Sequence, residues 1–355
     1  MNYMHRKANK IVANWIFLGV AMLIIQVLLG GVTRLTGSGL SITEWKPIMG
    51  FLPPLNDADW QQSFDKYKNI AQYKYIHHHF TLDDFKFIFF WEWFHRLWAR
   101  IIAIAFAIPF IYFLVKKYIK PAMIRPLVIL FLLGALQGAI GWIMVKSGLN
   151  DQDVYVSHIK LSIHFVSAMV LIVYALIVGL SLITQENYYL NNTTTSSFTK
   201  FTYCLIILLV VQLFYGAFMA GLKAANAAPT WPSINGDFLP INNNVSVADF
   251  LFFNKISIHF IHRGLAYLLV ALSAYWYIKA KKVKASSLFT TYKFLPIVVV
   301  IIQLILGIVA VLISPKIILG SFRSFEWVAL VHQLTGMILL LSFCGVIFIV
   351  NREKA

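Results

Sequence analysis

Eight stretches of this chain, roughly 13–32, 88–115, 124–146, 160–184, 200–221, 256–280, 294–314 and 327–350, are each long and apolar enough to cross a bilayer, since a spanning helix needs about 20 mostly apolar residues. Backbone polar groups cannot stay unpaired in lipid, so spanning segments must be helices or closed barrels. These runs are continuously apolar, which excludes the alternating pattern of a barrel strand. Composition agrees, with 59% hydrophobic residues, 12% charged residues and a mean hydropathy of +0.74. The sequence therefore predicts an all-α integral membrane protein with eight transmembrane helices. The first run is long enough to span and no small-residue cleavage site clearly follows it, so it reads as the first helix rather than as a signal peptide.

The chain also repeats itself. His95 pairs with His262 at an offset of 167 residues and His164 with His332 at 168. Gln137-x3-Gly141 matches Gln303-x3-Gly307 at 166, while Gln26-x3-Gly30 falls on Gln212-x3-Gly216 at 186. The loop Trp45-Lys46-Pro47-Ile48-Met49-Gly50 falls on Trp231-Pro232-Ser233-Ile234-Asn235-Gly236, also at 186. The difference of 19 lies between Pro54 and about Phe87, so the first half carries a longer hydrophilic loop. The expected architecture is two pseudo-symmetric four-helix bundles, residues 1–190 and 191–355, with the polar stretch Asn191–Ser197 as the linker.

Orientation follows from positive charge. The side holding the N-terminus, the C-terminus and the loops after the second, fourth and sixth runs carries 15 Lys/Arg against two acids, Glu186 and Glu353; the other side carries 15 against 12. The first side is expected to be cytoplasmic, with both termini there, in the inner membrane of a bacterium. The net charge of +16 then reflects topology and contact with anionic lipid head groups. It does not point to nucleic acid, because no basic patch with interleaved aromatics stands outside the apolar runs. The two cysteines, Cys204 and Cys344, lie inside predicted spans and indicate neither a disulfide framework nor a thiolate metal site.

In this orientation His95, His164, His262 and His332 each fall within about the first two turns of an inward-running helix, near the outer face. Within each half two histidines from alternate helices share a depth, an arrangement that can clamp one metal in a bundle core. Structural zinc usually takes four protein ligands, and neither half supplies two more. A haem needs only two axial ligands, and imidazole binds its iron well. Two haem sites in tandem is the economical reading. A lone interfacial histidine is more often a packing residue, but four at matched positions argue for ligands. His5, His158 and the run His77–His79 read as solvated.

The halves differ at one place that bears on chemistry. Glu92 stands three residues before His95 on the same helix face, whereas His259 holds the equivalent position before His262. Only the first half has a carboxylate beside its metal site, to move protons or to stabilise a developing cation. Its plainer alternative is a helix N-terminal acid favoured by the macrodipole. Arg96 and Arg263 follow the two histidines and would either pair with haem propionates or anchor the helix at the interface.

At this point the chain resembles the haem A synthase family. The resemblance covers nearly the whole length and rests on Gly30-Gly31-Val32-Thr33-Arg34-Leu35-Thr36-Gly37-Ser38-Gly39-Leu40, Glu92-Trp93-Phe94-His95-Arg96, His164, Pro229-Thr230-Trp231-Pro232, His262-Arg263 and His332. It implies that haem O is oxidised at a ring methyl to the formyl group of haem A, for terminal oxidases. It further implies that His95 and His164 hold the substrate or product haem and that Glu92 is the catalytic carboxylate. His262 and His332 would then ligate a resident haem b that transfers electrons. A haem O synthase and an oxidase-assembly factor are the partners it implies. This chain lacks the outer-loop cysteine pair of some bacterial members and is more similar to the mitochondrial and proteobacterial branch.

Two other functions remain open at the level of sequence. A di-haem b cytochrome that only passes electrons needs both histidine pairs but no Glu92, and a haem carrier would exchange haem without modifying it. Homo-oligomerisation is also open, since small residues on the third and seventh runs serve packing within a bundle as well as between protomers.

Overall fold

The computed structural model describes residues 3–44, 49–183, 194–240, 245–283, 287–317 and 322–352. The repeated loop residues Trp45 to Ile48 and the first three residues of the linker expected at Asn191–Ser197 lie outside these, while Thr194 to Ser197 open a helix. Ten helices are found among the described residues: α1 (Tyr3–Leu35), α2 (Asp57–Lys68), α3 (Leu82–Val115), α4 (Pro121–Lys146), α5 (His158–Ile183), α6 (Thr194–Gly221), α7 (Lys255–Lys282), α8 (Ser287–Tyr292), α9 (Phe294–Ile313) and α10 (Ser324–Arg352). All except α2 and α8 supply spans long and apolar enough to cross a membrane, eight in total. The protein is an all-α, multi-pass membrane protein.

Two compact units divide at Leu182 and Ile183. In the first, one buried cluster draws Val12 and Ile16 from α1, Phe113 from α3, Met123 and Leu127 from α4 and Val178 from α5. Burying apolar side chains in this way aligns the four spanning helices around one interior. In the second unit Trp276 of α7 is fully buried. Its indole donates to the Thr202 hydroxyl on α6 at 2.9 Å, and its ring centroid lies 5.4 Å from Phe198 and 5.3 Å from Phe343 of α10. The cysteines are free, Cys344 buried and Cys204 exposed.

The segment expected as a hydrophilic loop between Pro54 and Phe87 is in fact ordered by local chemistry. Asn56 caps α2 by accepting from the Asp59 amide at 2.8 Å, and acids in the first turn with lysines in the last suit the helix dipole. Thr81 and Asp84 form a reciprocal capping box that starts α3 at Leu82, six residues ahead of the expected start. Between them, a wide helical turn spans Tyr73–His77. Phe64, Tyr67 and Ile70 pack with Leu40, Phe85, Ile88 and Phe89 into a second cluster.

His77 departs from the expectation of a solvated triple. His78 and His79 are exposed, but His77 is buried, its ring stacked on Phe80 at 4.0 Å between centroids. The Tyr67 hydroxyl lies 2.7 Å from its Nδ1 and donates to Gln72 Oε1 at 2.9 Å. Aromatic packing carries this histidine inward, and Tyr67 satisfies it there. Burial pushes the Tyr67 phenol up from its ordinary value, and the nearby Glu92 charge adds to this.

Candidate functional site

Each of the four repeated histidines meets the helix that precedes its own in the same manner. The edge of the His95 ring faces Gly30 of α1, His164 faces Gly141 of α4, His262 faces Gly216 of α6 and His332 faces Gly307 of α9. A Cβ built on these glycines would stand 3.2, 2.8, 3.3 and 3.0 Å from the ring Cε1. One turn before each glycine stands a glutamine. Gln26, Gln137 and Gln212 donate through Nε2 to the backbone carbonyls of His95, His164 and His262 at 3.2, 2.9 and 3.0 Å. Gln303 Nε2 lies 3.3 Å from His332 Nε2. The sequence showed these glutamines as matched positions without revealing what they touch.

Within each unit the histidines converge in pairs. His262 of α7 and His332 of α10 have ring centroids 6.5 Å apart with planes at 77°, which leaves room for one metal ion between imidazole nitrogens at bonds of about 2 Å. In the first unit His95 of α3 and His164 of α5 are close enough to interact electrostatically. His164, His262 and His332 come six to eight residues after the start of their helices, but His95 comes thirteen after Leu82. The expected two turns are therefore exceeded for His95, because its helix starts earlier.

The donor sets fit a group that brings most of its own ligands. Among the described residues no three His, Cys, Asp or Glu side chains converge to hold a metal ion. Yet two of the repeated histidines keep a buried ring nitrogen with no partner, His262 Nδ1 and His332 Nδ1. Such orphans are costly, and bound groups commonly account for them. A haem, ligated by two imidazoles, fits this chemistry where zinc does not.

Glu92 is buried, at 3% exposure, and its carboxylate is held by three donors. Ser41 Oγ and the Ile42 amide donate to Oε2 at 2.7 and 2.8 Å, and the Arg96 guanidinium donates to Oε1 at 2.5 Å. Two oxygens offer about four acceptor positions, so one on Oε1 is left. Ser41 was not singled out in the sequence. A signal was available in retrospect, because the equivalent position in the second half is Ala227, at the loop offset of 186.

Arg96 and Arg263 do the same thing in their two units. Arg96 donates to the carbonyls of Ile42 at 3.1 Å and Glu44 at 3.4 Å. Arg263 donates to those of Ala228 at 2.7 Å, Thr230 at 2.9 Å and Ser233 at 3.2 Å. Ile42 with Ala228 and Glu44 with Thr230 are equivalent positions of the repeat. Each arginine thus ties the loop after the first helix of its unit to the histidine-bearing helix. Arg263 keeps a buried Nε with no partner. Where Glu92 stands in the first unit, the second has His259, fully buried, with Nε2 3.3 Å from the Ala225 carbonyl and Nδ1 unpartnered.

The family model for COX15-CtaA, described as cytochrome oxidase assembly protein, matches residues 13–344. The chain is similar to haem A synthase of Flavobacterium johnsoniae, at 37% identity over 341 residues that cover 94% of this chain and 96% of that one. It is also similar to haem A synthases of Rhodopseudomonas palustris, at 41% over 330 residues covering 92% and 85%, and of Nitrosomonas eutropha, at 39% over 306 residues covering 85% and 86%.

Proposed function

The chain belongs to the COX15-CtaA family of cytochrome oxidase assembly proteins, and from that premise we propose that it is a haem A synthase, a membrane enzyme that oxidises a ring methyl of haem O to the formyl group of haem A. The observation that carries this reading is the burial of Glu92 one turn from His95, with its oxygens fixed by Ser41, Ile42 and Arg96. A pure electron carrier would have no use for a costly buried carboxylate beside only one of its two sites.

The two halves divide the work in this proposal. Residues 1–190 hold the substrate haem through His95 and His164, and residues 191–355 hold a haem b through His262 and His332. That haem b, when bound, supplies one-electron transfer. Glutamine and glycine contacts hold the four imidazoles, and Arg96 and Arg263 hold the loops beside them. The unpartnered Nε of Arg263 supports a further bond to a haem propionate.

Two successive hydroxylations convert the substrate methyl to a hydroxymethyl group and then to a geminal diol, which loses water to give the aldehyde. Each inserts one oxygen atom, either from water with two electrons and two protons passed to an acceptor, or from dioxygen with two electrons and two protons supplied by a donor and water released. The free acceptor position on Glu92 Oε1 suits a hydrogen bond from the hydroxyl formed in the first oxidation. Its negative charge, only partly offset by Arg96, favours positive charge developing on the ring methyl. Because three donors fix the carboxylate in advance, little reorganisation is needed as that charge appears.

The remaining parts of the proposal are topological. Both termini face the cytoplasm, the haem sites lie toward the outer leaflet, and the membrane is the cytoplasmic membrane of a bacterium, as the asymmetry of lysine and arginine supports. Haem O arrives from a synthase and haem A leaves to an oxidase-assembly factor.

The test is chromatographic analysis of haem extracted from the purified full-length protein after coexpression with a source of haem O, for the parent, Glu92→Gln and His262→Ala. Haem A or its hydroxymethyl precursor in the parent, with haem O accumulating in Glu92→Gln, is the expected result. Recovery of haem b alone from all haem-retaining forms would replace the synthase with a di-haem electron carrier.

A further inference from the structure

We propose that Gln26, Gln137, Gln212 and Gln303, each with the glycine four residues later, are positioning residues that form four copies of one histidine seat, and that these seats fix the orientation of the haem ligands. The inference rests on the reading of the four histidines as haem ligands.

The four repeated glycines each face an imidazole, which other glycines of the spanning helices do not. Gly134 and Gly138 on α4 and Gly264 on α7 have nothing within 4 Å of a Cβ built on them, whereas Gly30, Gly141, Gly216 and Gly307 would each drive a methyl to within 2.8 to 3.3 Å of a histidine Cε1. Contacts of 3 Å or less require the ring or the backbone to move. Gly138, three residues before Gly141 on the same helix, has open space where Gly141 meets a ring. Gly148, Gly179 and Gly345 are packed as tightly, but against Leu40, Phe17 and Tyr292; the four repeated glycines are the ones that face the edge of a repeated histidine's ring.

The glutamines supply the second half of each seat. Three of the four hold the histidine's own carbonyl through Nε2, which ties the backbone of one helix to the next at the ligand itself. Gln26 Nε2 lies 3.3 Å from both ring nitrogens of His95, Gln137 Nε2 3.1 Å from His164 Nδ1 and Gln303 Nε2 3.3 Å from His332 Nε2, so the ring contact varies between seats. A polar side chain inside a spanning helix is expensive. Three of these four leave Oε1 buried and unpartnered, so what keeps the residue is its donor end. At the fourth, Gln137 Oε1 accepts from Ser167 Oγ at 2.6 Å, and the same hydroxyl lies 3.0 Å from the His164 carbonyl, its one proton serving either acceptor.

The pairing repeats on α1 with α3, α4 with α5, α6 with α7, and α9 with α10. Each unit is thus two copies of one hairpin, a helix bearing Gln-x3-Gly followed by a helix bearing His. A ligand whose ring edge and backbone are both held turns less freely about its bond to a metal, and contacts behind a ligand set its orientation.

The test reads the electron paramagnetic resonance of purified full-length protein loaded with haem b, following the low-spin signal that His262→Ala removes. Gly307→Ala should convert most of that signal to high spin, and Gly216→Ala a smaller share, in the order of their contact distances. Gly264→Ala should leave it unchanged. Gln212→Met, which keeps side-chain length and removes the amide, should retain haem but broaden the low-spin line and shift the midpoint potential. Unaltered spectra and potentials in Gly307→Ala and Gln212→Met, with haem still lost in His262→Ala, would overturn the seats and leave the ligand assignment standing. A parent protein that takes up no haem b would overturn both.

Discussion

Glu92 and Arg96, one turn apart on α3, form an ion pair at 2.5 Å in which the carboxylate is 3% and the guanidinium 18% exposed. Removing one partner of a buried pair leaves a charge without compensation and typically costs about 3–5 kcal/mol. Arg96→Ala is therefore expected to lower the melting temperature of the purified protein markedly. The double variant Glu92→Gln with Arg96→Ala should recover part of that loss, because it removes the stranded charge as well. A double variant less stable than Arg96→Ala would show that the guanidinium's bonds to Ile42 and Glu44 dominate over its pairing with Glu92.

Arg263 has no carboxylate among its hydrogen-bond partners, and its three carbonyl acceptors make a cleaner case. Lysine is a compact point charge that cannot span three acceptors as the planar fork does. Arg263→Lys should leave at least one carbonyl unpaired, at about 1–3 kcal/mol. The expected readout is faster protease cleavage within residues 222–240 of the haem-free protein. Unchanged cleavage would mean that the loop is held by other contacts.

The cap over the first unit depends on Tyr67. Tyr67→Phe would strand the buried Gln72 Oε1 and His77 Nδ1, at about 1–3 kcal/mol. Because the phenol's pKa is raised in the fold above its ordinary value of 10.0, the neutral form is favoured there. The stability it contributes is complete below about pH 10 and is lost as pH rises further. The parent should melt lower with rising alkalinity in this range, and Tyr67→Phe should show a weaker dependence.

The spans and histidines were legible because the bilayer imposes a length on every helix and the repeat marks the histidines twice. What the histidines touch was not legible, since a glycine and a glutamine on another helix carry no local sign of their partner. The arginines illustrate this limit. A backbone carbonyl is present at every residue, so nothing in Ile42 or Ala228 announces an acceptor. The helices and the loops also repeat at different offsets, 167 and 186, which hid the equivalence of the two arginine contacts. Helix α2 could have been read, because Asn56 followed by Asp57 and Asp59 is a helix start and Lys66 and Lys68 suit its end. Polar composition in a loop between spans drew attention away from those signals. His77 needed the aromatic cluster around it to be known before its burial made sense.

The pairing of Ser41 with Glu92 gives the sharpest test of the catalytic half. The chain holds its own control: where histidine replaces the carboxylate, at His259, alanine replaces the serine, at Ala227. Ser41 Oγ donates to Glu92 Oε2 at 2.7 Å and is 2% exposed, so Ser41→Ala removes a hydrogen bond to a charged acceptor and little else. Such a bond contributes about 1.5–3 kcal/mol. If the serine holds Glu92 in the orientation that turnover needs, conversion of haem O should slow by roughly 10- to 100-fold. Glu92 would keep the Ile42 amide and Arg96, so haem content and the low-spin spectrum should stay as in the parent. Slower conversion with an intact spectrum places Ser41 in the support of the carboxylate. Loss of haem together with conversion would instead assign it to the integrity of the pocket, and full conversion would show that two donors suffice to hold Glu92.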